Sequence, residues 1–209
     1  FESAHKLFSA AAASGMRERL EMLCFMLAMK QAYFLPAGKL LFLNFHPATL
    51  AGNSKIILDS LGDMREQVVI ELSESHGKIR YLHRSLDDLR SAGVRIALDD
   101  VGAGDRALAN LCEYRADYLK LDRSLIEGLM QTKNGTADLY RSMVRLLVDY
   151  ARRAGIEVIA EGVETESQLL ETIMSGVHLV QGFYFSRPQP AEYWLERTRE
   201  MERGAAVRG

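Results

Sequence analysis

Residues 94–100 read VRIALDD, and residues 156–162 read IEVIAEG. Each stretch is a short run of aliphatic and β-branched residues that leads directly into acidic side chains. Runs without clean polar alternation are typical of strands buried on both faces of a parallel sheet. The two stretches therefore predict an α/β fold in which carboxylates stand at the strand ends.

Four more runs of the same kind occur along the chain, and helical patterns separate them. The predicted strands are 39–45, 67–72, 94–99, 117–121, 156–160 and 177–182. The predicted helices are 7–32 with a break near Ser14 and Gly15, 79–92, 139–154, and 165–174 with a capping box from Thr165 to Gln168. Strand–helix alternation is typical of βαβ units, whose crossovers are right-handed.

The composition of the 209 residues predicts one domain over 1–209, with a frayed tail at 197–209. A net charge of -2 gives no electrostatic reason to expect a nucleic-acid polymer or a membrane surface as partner. Two cysteines without a CxxC pair argue against a disulfide framework or a structural zinc site, and suit a reducing cytosol. We therefore expect a cytoplasmic domain that itself makes no membrane contact. It would belong either to a cytoplasmic protein or to the cytoplasmic part of a membrane-bound protein.

A polar residue follows or ends almost every predicted strand. These residues are Asn44, Glu71, Asp99 with Asp100, Lys120 with Asp122, Glu161 and Gln181. One such residue is most often a solvated loop entry or a helix N-cap, but the pattern recurs in six strands. The carboxyl ends of strands meet around one mouth in a (β/α) barrel, whereas an open sheet would spread them along an edge. The pattern therefore favours a TIM-like barrel.

The clustered side chains are mostly oxygen donors, which suit Mg²⁺ or Mn²⁺ and not zinc. Asp99 and Asp100 would point to opposite faces of an ideal strand, but both can reach the rim where the backbone turns. Several carboxylates in one mouth repel each other unless cations are present, so a metal site is expected. Lys120 has three open roles: to hold a metal-bound water, to act as a base, or merely to balance the carboxylates.

Six motifs resemble those of the EAL-domain family, in the same order and at similar spacing. They are LNFHP at 43–47, ELSE at 71–74, IALDDVGAGDRAL at 96–108, DYLKLDRSLI at 117–126, VIAEGVETESQL at 158–169 and VQGFYFSRPQP at 180–190. The resemblance implies an EAL-type (β/α) barrel. It also implies a phosphodiesterase that cuts one bond of cyclic di-GMP to give linear pGpG.

The resemblance further implies roles for individual residues. The metal ligands of two sites would be Asn44, Glu71, Asp99, Asp100 and Glu161. The residues that handle the attacking water and the substrate would be Lys120, Asp122, Glu161, Gln181 and Glu164. Glu74 would anchor the loop after Asp100. The implied cofactor is Mg²⁺ or Mn²⁺, with Ca²⁺ inhibitory, and a homodimer attached to sensory or cyclase domains is implied as well.

The family's Glu-Ala-Leu motif, whose glutamate binds metal, does not occur in the chain. Because such barrels reach about 250 residues, we expect the first strands of the barrel to be absent from this chain. A catalytically inactive EAL domain that serves as a cyclic di-GMP receptor or interaction module is the alternative. A metal-dependent phosphodiesterase for another substrate is a third possibility. The intact set of predicted ligands favours the enzyme.

Overall fold

The computed structural model describes residues 3–32, 35–73, 79–103, 107–132 and 135–206. The strands are β1 Leu41–Phe45, β2 Val68–Leu72, β3 Arg95–Val101, β4 Tyr118–Leu121, β5 Glu157–Ala160 and β6 Leu179–Val180. The helices are α1 Ala4–Ala13, α2 Arg17–Ala32, α3 Pro47–Leu61, α4 Leu82–Ser91, α5 Ala107–Tyr114, α6 Arg123–Gly128, α7 Thr136–Ala154, α8 Glu166–Met174 and α9 Ala191–Ala206, with a 3₁₀ turn at Gly62–Gln67.

The sheet confirms the predicted α/β class. Its six strands follow the order of the chain. The pairs from β3 to β6 are parallel, with Leu98 opposite Leu119 and Lys120 opposite Ile159. Every residue of β2 and β4 is buried, as expected for strands covered on both faces.

The residues form two compact units. The first comprises Phe1–Val69, Ile79–Val94 and Pro188–Gly209. It holds β1, and its helices α1 and α2 are separated at the predicted break by Gly15, at φ 68°. His46 caps α3, because its Nδ1 accepts a hydrogen bond from the Ala48 N–H at 3.2 Å. α9 continues to Ala206, and fraying of 197–209 stays a prediction.

The second unit comprises Ile70–Lys78 and Arg95–Arg187. Its helix α7 begins at Thr136, three residues before the predicted start, and ends at Ala154, where Gly155 caps it with φ 71°. α8 has the predicted capping box between Thr165 and Gln168. None of the helices in the described ranges contains an apolar window long enough to cross a bilayer.

β6, at Leu179–Val180, is much shorter than the predicted run 177–182, and the chain just after it lies against the segment that follows β5. A Cβ on Gly182 would lie 2.0 Å from the carbonyl oxygen of Val163, so the two backbones are in close contact. The chain then turns at once, since the Phe185 N–H donates to the Gly182 carbonyl at 3.1 Å. The regular strand ends at Val180, but the Gln181 N–H still donates to the Ala160 carbonyl at 2.8 Å and the Val163 N–H donates to the Gln181 carbonyl at 3.1 Å.

Gly182→Ala is expected to lower the free energy of unfolding by about 1–3 kcal/mol, because backbone atoms cannot yield as a flexible side chain would. Gly52→Ala is the matched control. Gly52 lies inside α3 with no atom within 4 Å of its added Cβ, and alanine should stabilise that helix by about 0.5–1 kcal/mol. Urea unfolding of both variants measures the difference, and equal stabilities would contradict the close contact at Gly182.

Candidate functional site

Four charged side chains from four neighbouring strands converge in the second unit. Lys120, on β4, places its Nζ 2.7 Å from Glu71 Oε1, 2.9 Å from Asp99 Oδ1 and 2.7 Å from Glu161 Oε1. The side chains of Lys120 and Glu71 are only 4% and 5% exposed. All four residues lie at or just after the carboxyl ends of their strands, the edge at which barrel enzymes bind substrates.

A bulge in β3 allows two successive aspartates to reach the same rim. The register of β3 against β4 shifts between Leu98 and Val101. Asp100 has φ 54°, a left-handed conformation that aspartate tolerates better than most residues. Oxygen atoms of Asp99, Asp100 and Glu161 consequently lie within 4.8 Å of one another. In a regular strand the side chains of Asp99 and Asp100 would point to opposite faces of the sheet, and this turn of the backbone lets both reach the same rim.

The pKa of Lys120 is set by two opposing effects. Burial alone would lower it, but the carboxylates of Glu71, Asp99 and Glu161 raise it, and the net result is a pKa above the ordinary value. The side chain is therefore an ammonium ion, and it donates to three carboxylates. This geometry fits the role of balancing the carboxylates, while the roles of holding a metal-bound water and of acting as a base stay predictions.

A cavity of about 320 Å³ adjoins the carboxylates. Its lining includes the predicted site residues Asp100, Asp122, Glu161, Glu164 and Gln181. Asp122 also has a structural function as the N-cap of α6, since its Oδ1 accepts from the Ser124 N–H at 2.9 Å. The structure thus brings most of the predicted water-handling and substrate residues to one opening beside the carboxylates.

The model of the EAL domain family matches residues 1–188 of the chain. The chain belongs to the EAL-domain family. RocR of Pseudomonas aeruginosa, named a cyclic di-GMP phosphodiesterase, is 33% identical over 161 residues, covering 73% of this chain and 40% of RocR. PdeN of Escherichia coli K12, named a probable cyclic di-GMP phosphodiesterase, is 33% identical over 172 residues, covering 78% of this chain and 32% of PdeN.

The fold also matches solved EAL structures. Klebsiella pneumoniae BlrP1 in its manganese and cyclic di-GMP complex superposes with a TM-score of 0.77 at 32% identity, covering 89% of this chain and 48% of BlrP1. Its calcium and cyclic di-GMP complex superposes with a TM-score of 0.76. The predicted EAL-type α/β fold is therefore confirmed. The chain spans less than half of the length of RocR, PdeN and BlrP1.

Two of the predicted site residues are not among the side chains described above. Asn44 is on β1 in the first unit with an exposed side chain, and its role as a metal ligand stays a prediction. Glu74, the predicted loop anchor, is outside the described residues. The assignment of roles within this EAL site therefore rests on Glu71, Asp99, Asp100, Lys120 and the residues after β5.

The sequence analysis gave no role to Arg123 and Phe183, which also line the cavity. The Arg187 guanidinium lies 4.6 Å from the centroid of the Phe183 ring. Arg123 pairs with Glu164, with Nη1 2.8 Å from Oε1. Their positions in the motifs could have indicated both residues, because Arg123 directly follows Asp122 and Phe183 follows Gly182.

The donor set of this EAL domain fits divalent cations. The carboxylates Asp99, Asp100 and Glu161 present hard oxygen ligands within reach of a common ion. Burial raises the pKa of Glu161 to about 7; Lys120 opposes the rise, and Asp99 and Glu71 add to it. Because three carboxylates face a single ammonium ion, a bound cation would complete the charge balance of this cluster.

Mn²⁺ binding is expected to weaken as the pH falls below 7. There the metal-free protein holds a proton on Glu161, which the cation must displace, so the apparent dissociation constant should rise by up to about ten-fold per pH unit. Above pH 7 the apparent dissociation constant should become independent of pH. The stability of the metal-free fold changes with pH in the opposite direction. Because the pKa of Glu161 is raised above its ordinary value of 4.5, this carboxyl stabilises the fold most at low pH, and its contribution is lost as the pH rises through 7.

Calorimetric titration of Mn²⁺ at pH 6, 7 and 8 measures this dependence. Glu161→Gln carries no titrating proton at this position and is expected to bind Mn²⁺ more weakly but with a flatter pH profile. An equally steep profile in both proteins would show that another group provides the proton.

Proposed function

We propose that this EAL domain hydrolyses cyclic di-GMP to linear pGpG with the help of bound Mg²⁺ or Mn²⁺. The observation that carries the proposal is the convergence of Glu71, Asp99 and Glu161 on the Lys120 ammonium, with Asp100 at the same rim. A binding fold that needed only shape would gain little from burying so many charges, because each buried ion costs several kcal/mol of desolvation.

The cation ligands would be Asp99, Asp100 and Glu161, joined by Glu71 and Asn44 in a two-site arrangement. Bound divalent cations supply positive charge for the phosphoryl oxygens and make a water molecule more acidic. Their charge is also needed for substrate entry, because the cavity is lined by several carboxylates and each phosphodiester of cyclic di-GMP is an anion. We therefore expect cations to be required before the substrate binds productively.

The residues of the chain contribute positioning and proton handling. The three N–H groups of the Lys120 ammonium already lie against Glu71, Asp99 and Glu161, so Lys120 would orient the attacking water only once a cation has taken over one of these carboxylates. Asp122 at the start of α6 can accept a hydrogen bond from that water. Gln181 and Glu164 line the same cavity and offer amide and carboxylate contacts to the nucleotide. The proposed reaction is an in-line displacement at phosphorus, in which electrostatic stabilisation of the transition state provides most of the rate acceleration.

The remaining proposals concern the setting of the domain. We propose that residues 1–209 act as one EAL-type domain of a longer cytoplasmic signalling protein, in line with its coverage of 40% of RocR and 32% of PdeN. We also propose that the domain forms a homodimer.

We propose that Ca²⁺ inhibits the reaction. Ca²⁺ binds its ligands at about 2.3–2.6 Å in a flexible geometry, whereas Mg²⁺ requires a tighter and more regular coordination shell.

Incubation of the 209-residue chain with cyclic di-GMP and Mn²⁺, followed by chromatography of the products, tests the proposal. Formation of pGpG that stops on addition of a chelator supports the enzyme. Tight binding of cyclic di-GMP without product would instead support the receptor alternative. Product formation from another cyclic dinucleotide, but not from cyclic di-GMP, would support the third alternative.

A further inference from the structure

Arg123 joins α6 to the loop that follows β5. Its Nη1 lies 2.8 Å from Glu164 Oε1 on that loop. On its own helix, its Nε lies 2.5 Å from Glu127 Oε1. The guanidinium is thus held on two sides, by one carboxylate four residues ahead and by another from a different element. A planar group with several N–H donors is suited to such a bridge, whereas an ammonium is not.

The aliphatic part of Arg123 lies against the backbone of Gly162. A Cβ added to Gly162 would lie 2.6 Å from Cγ and 2.7 Å from Cβ of Arg123. Gly162 itself has φ 70°, so the loop turns in a left-handed conformation at the point where the arginine covers it. The contact therefore has both an apolar part and a charged part, and both act on the same short segment.

This segment carries two residues of the site. Glu161 immediately precedes Gly162, contacts Lys120 and belongs to the carboxylate cluster. Glu164 follows two residues later, and its backbone N–H donates to Gln168 Oε1 at 2.8 Å. The loop is fixed at its far end by α8 and at its near end by β5. In the middle, Val163 exchanges backbone hydrogen bonds with Gln181 and Tyr184, and Arg123 adds a side-chain contact from α6 on both sides of Val163.

We propose that Arg123 is a positioning residue, which holds the loop after β5 so that the Glu161 carboxylate stays directed at the cation-binding rim. The inference rests on the proposed metal-dependent function, but it concerns the geometry of the site and not the reaction. Arg123 is half exposed, and exposed ion pairs contribute little to global stability. Removal of the Arg123 side chain should therefore lower the affinity for the cation more than it lowers the free energy of unfolding.

The experiment measures the dissociation constant of Mn²⁺ alone by calorimetry at pH 8, for the 209-residue chain and its variants. Arg123→Ala is expected to raise the constant about ten-fold, the lower end of the range for losing an outer partner of a metal ligand, because Arg123 supports Glu161 only indirectly, through the loop. Arg152→Ala is the matched control. Arg152 is an exposed arginine of α7, paired with Asp149 at 2.7 Å, and its loss should change the constant by less than about two-fold.

A pair of opposite substitutions tests the contact itself. Arg123→Glu should bind Mn²⁺ weakly, and combining it with Glu164→Arg should restore most of the lost affinity, because neighbouring pairs couple. Thermal unfolding without metal is recorded in parallel, since a purely structural role would lower the melting temperature and leave the Mn²⁺ constant of the folded protein unchanged. That result, or the absence of rescue, would overturn the proposal.

The outcome also separates this inference from the proposed reaction. Mn²⁺ binding by the unsubstituted chain without hydrolysis of cyclic di-GMP would overturn only the reaction, and the comparison of Arg123 variants would still decide the positioning role. Failure of the unsubstituted chain to bind Mn²⁺ would overturn the cation site and this inference with it.

Discussion

Lys120→Met is expected to lower the free energy of unfolding of the metal-free protein by about 3–5 kcal/mol, the range found when one partner of a buried ion pair is removed. The ammonium contacts Glu71, Asp99 and Glu161 within 2.9 Å and is itself buried. Methionine has a similar length but no charge, so three carboxylates would face each other without a counter-ion. The loss should be larger at pH 8 than at pH 5, because protonated carboxyl groups need no counter-charge.

Thermal unfolding in chelator measures this effect, and the expected fall in melting temperature is about 6–20 °C for a chain of this size. Lys55→Met is the control, because Lys55 is exposed on α3. Added Mn²⁺ should recover part of the lost stability in Lys120→Met, since a cation can replace the missing charge. A melting temperature within about 1 °C of the unsubstituted protein would show that the carboxylates do not depend on Lys120.

Asp99→Asn is expected to reduce Mn²⁺-dependent hydrolysis of cyclic di-GMP by about 10³-fold, which corresponds to ~4 kcal/mol of transition-state stabilisation. Asp99 contacts Lys120 and also belongs, with Asp100 and Glu161, to the cluster of oxygens within 4.8 Å. Asparagine preserves the shape of the side chain and removes its charge. The loss therefore reports the electrostatic contribution rather than a packing defect.

The control for Asp99→Asn is Asp149→Asn, which removes a charge from the exposed surface of α7. It should leave the rate within about two-fold of the unsubstituted protein, as surface substitutions away from special features usually do. Rates are measured by product chromatography at saturating Mn²⁺, with the metal dissociation constant determined separately. A rate for Asp99→Asn close to that of Asp149→Asn would exclude Asp99 as a metal ligand of the reaction.

The sequence was sufficient to predict the class of fold and the edge of the sheet that carries the charges. Buried apolar runs that end in polar residues determine both features locally, which is why Glu71, Lys120 and Glu161 were identified without the structure. The helix break at Gly15 and the capping box of α8 were predicted for the same reason, since each depends on residues only a few positions apart.

The details that could not be predicted depend on contacts between distant segments. The bulge that turns Asp100 to the rim is a property of the β3–β4 register, which sequence alternation alone does not determine. Gly182 lies against the backbone of Val163, and Arg123 reaches Glu164 across 41 positions of sequence. These pairs appear only when the strands are assembled.

Hydrolysis of cyclic di-GMP by this chain, measured with and without Mn²⁺, tests the central claim most directly. The account predicts that pGpG forms only with the cation, and that Asp99→Asn slows its formation by about 10³-fold while Asp149→Asn does not. Binding of Mn²⁺ and cyclic di-GMP to a folded protein with no pGpG formed at any pH between 6 and 9 would contradict the claim that this EAL domain is a phosphodiesterase.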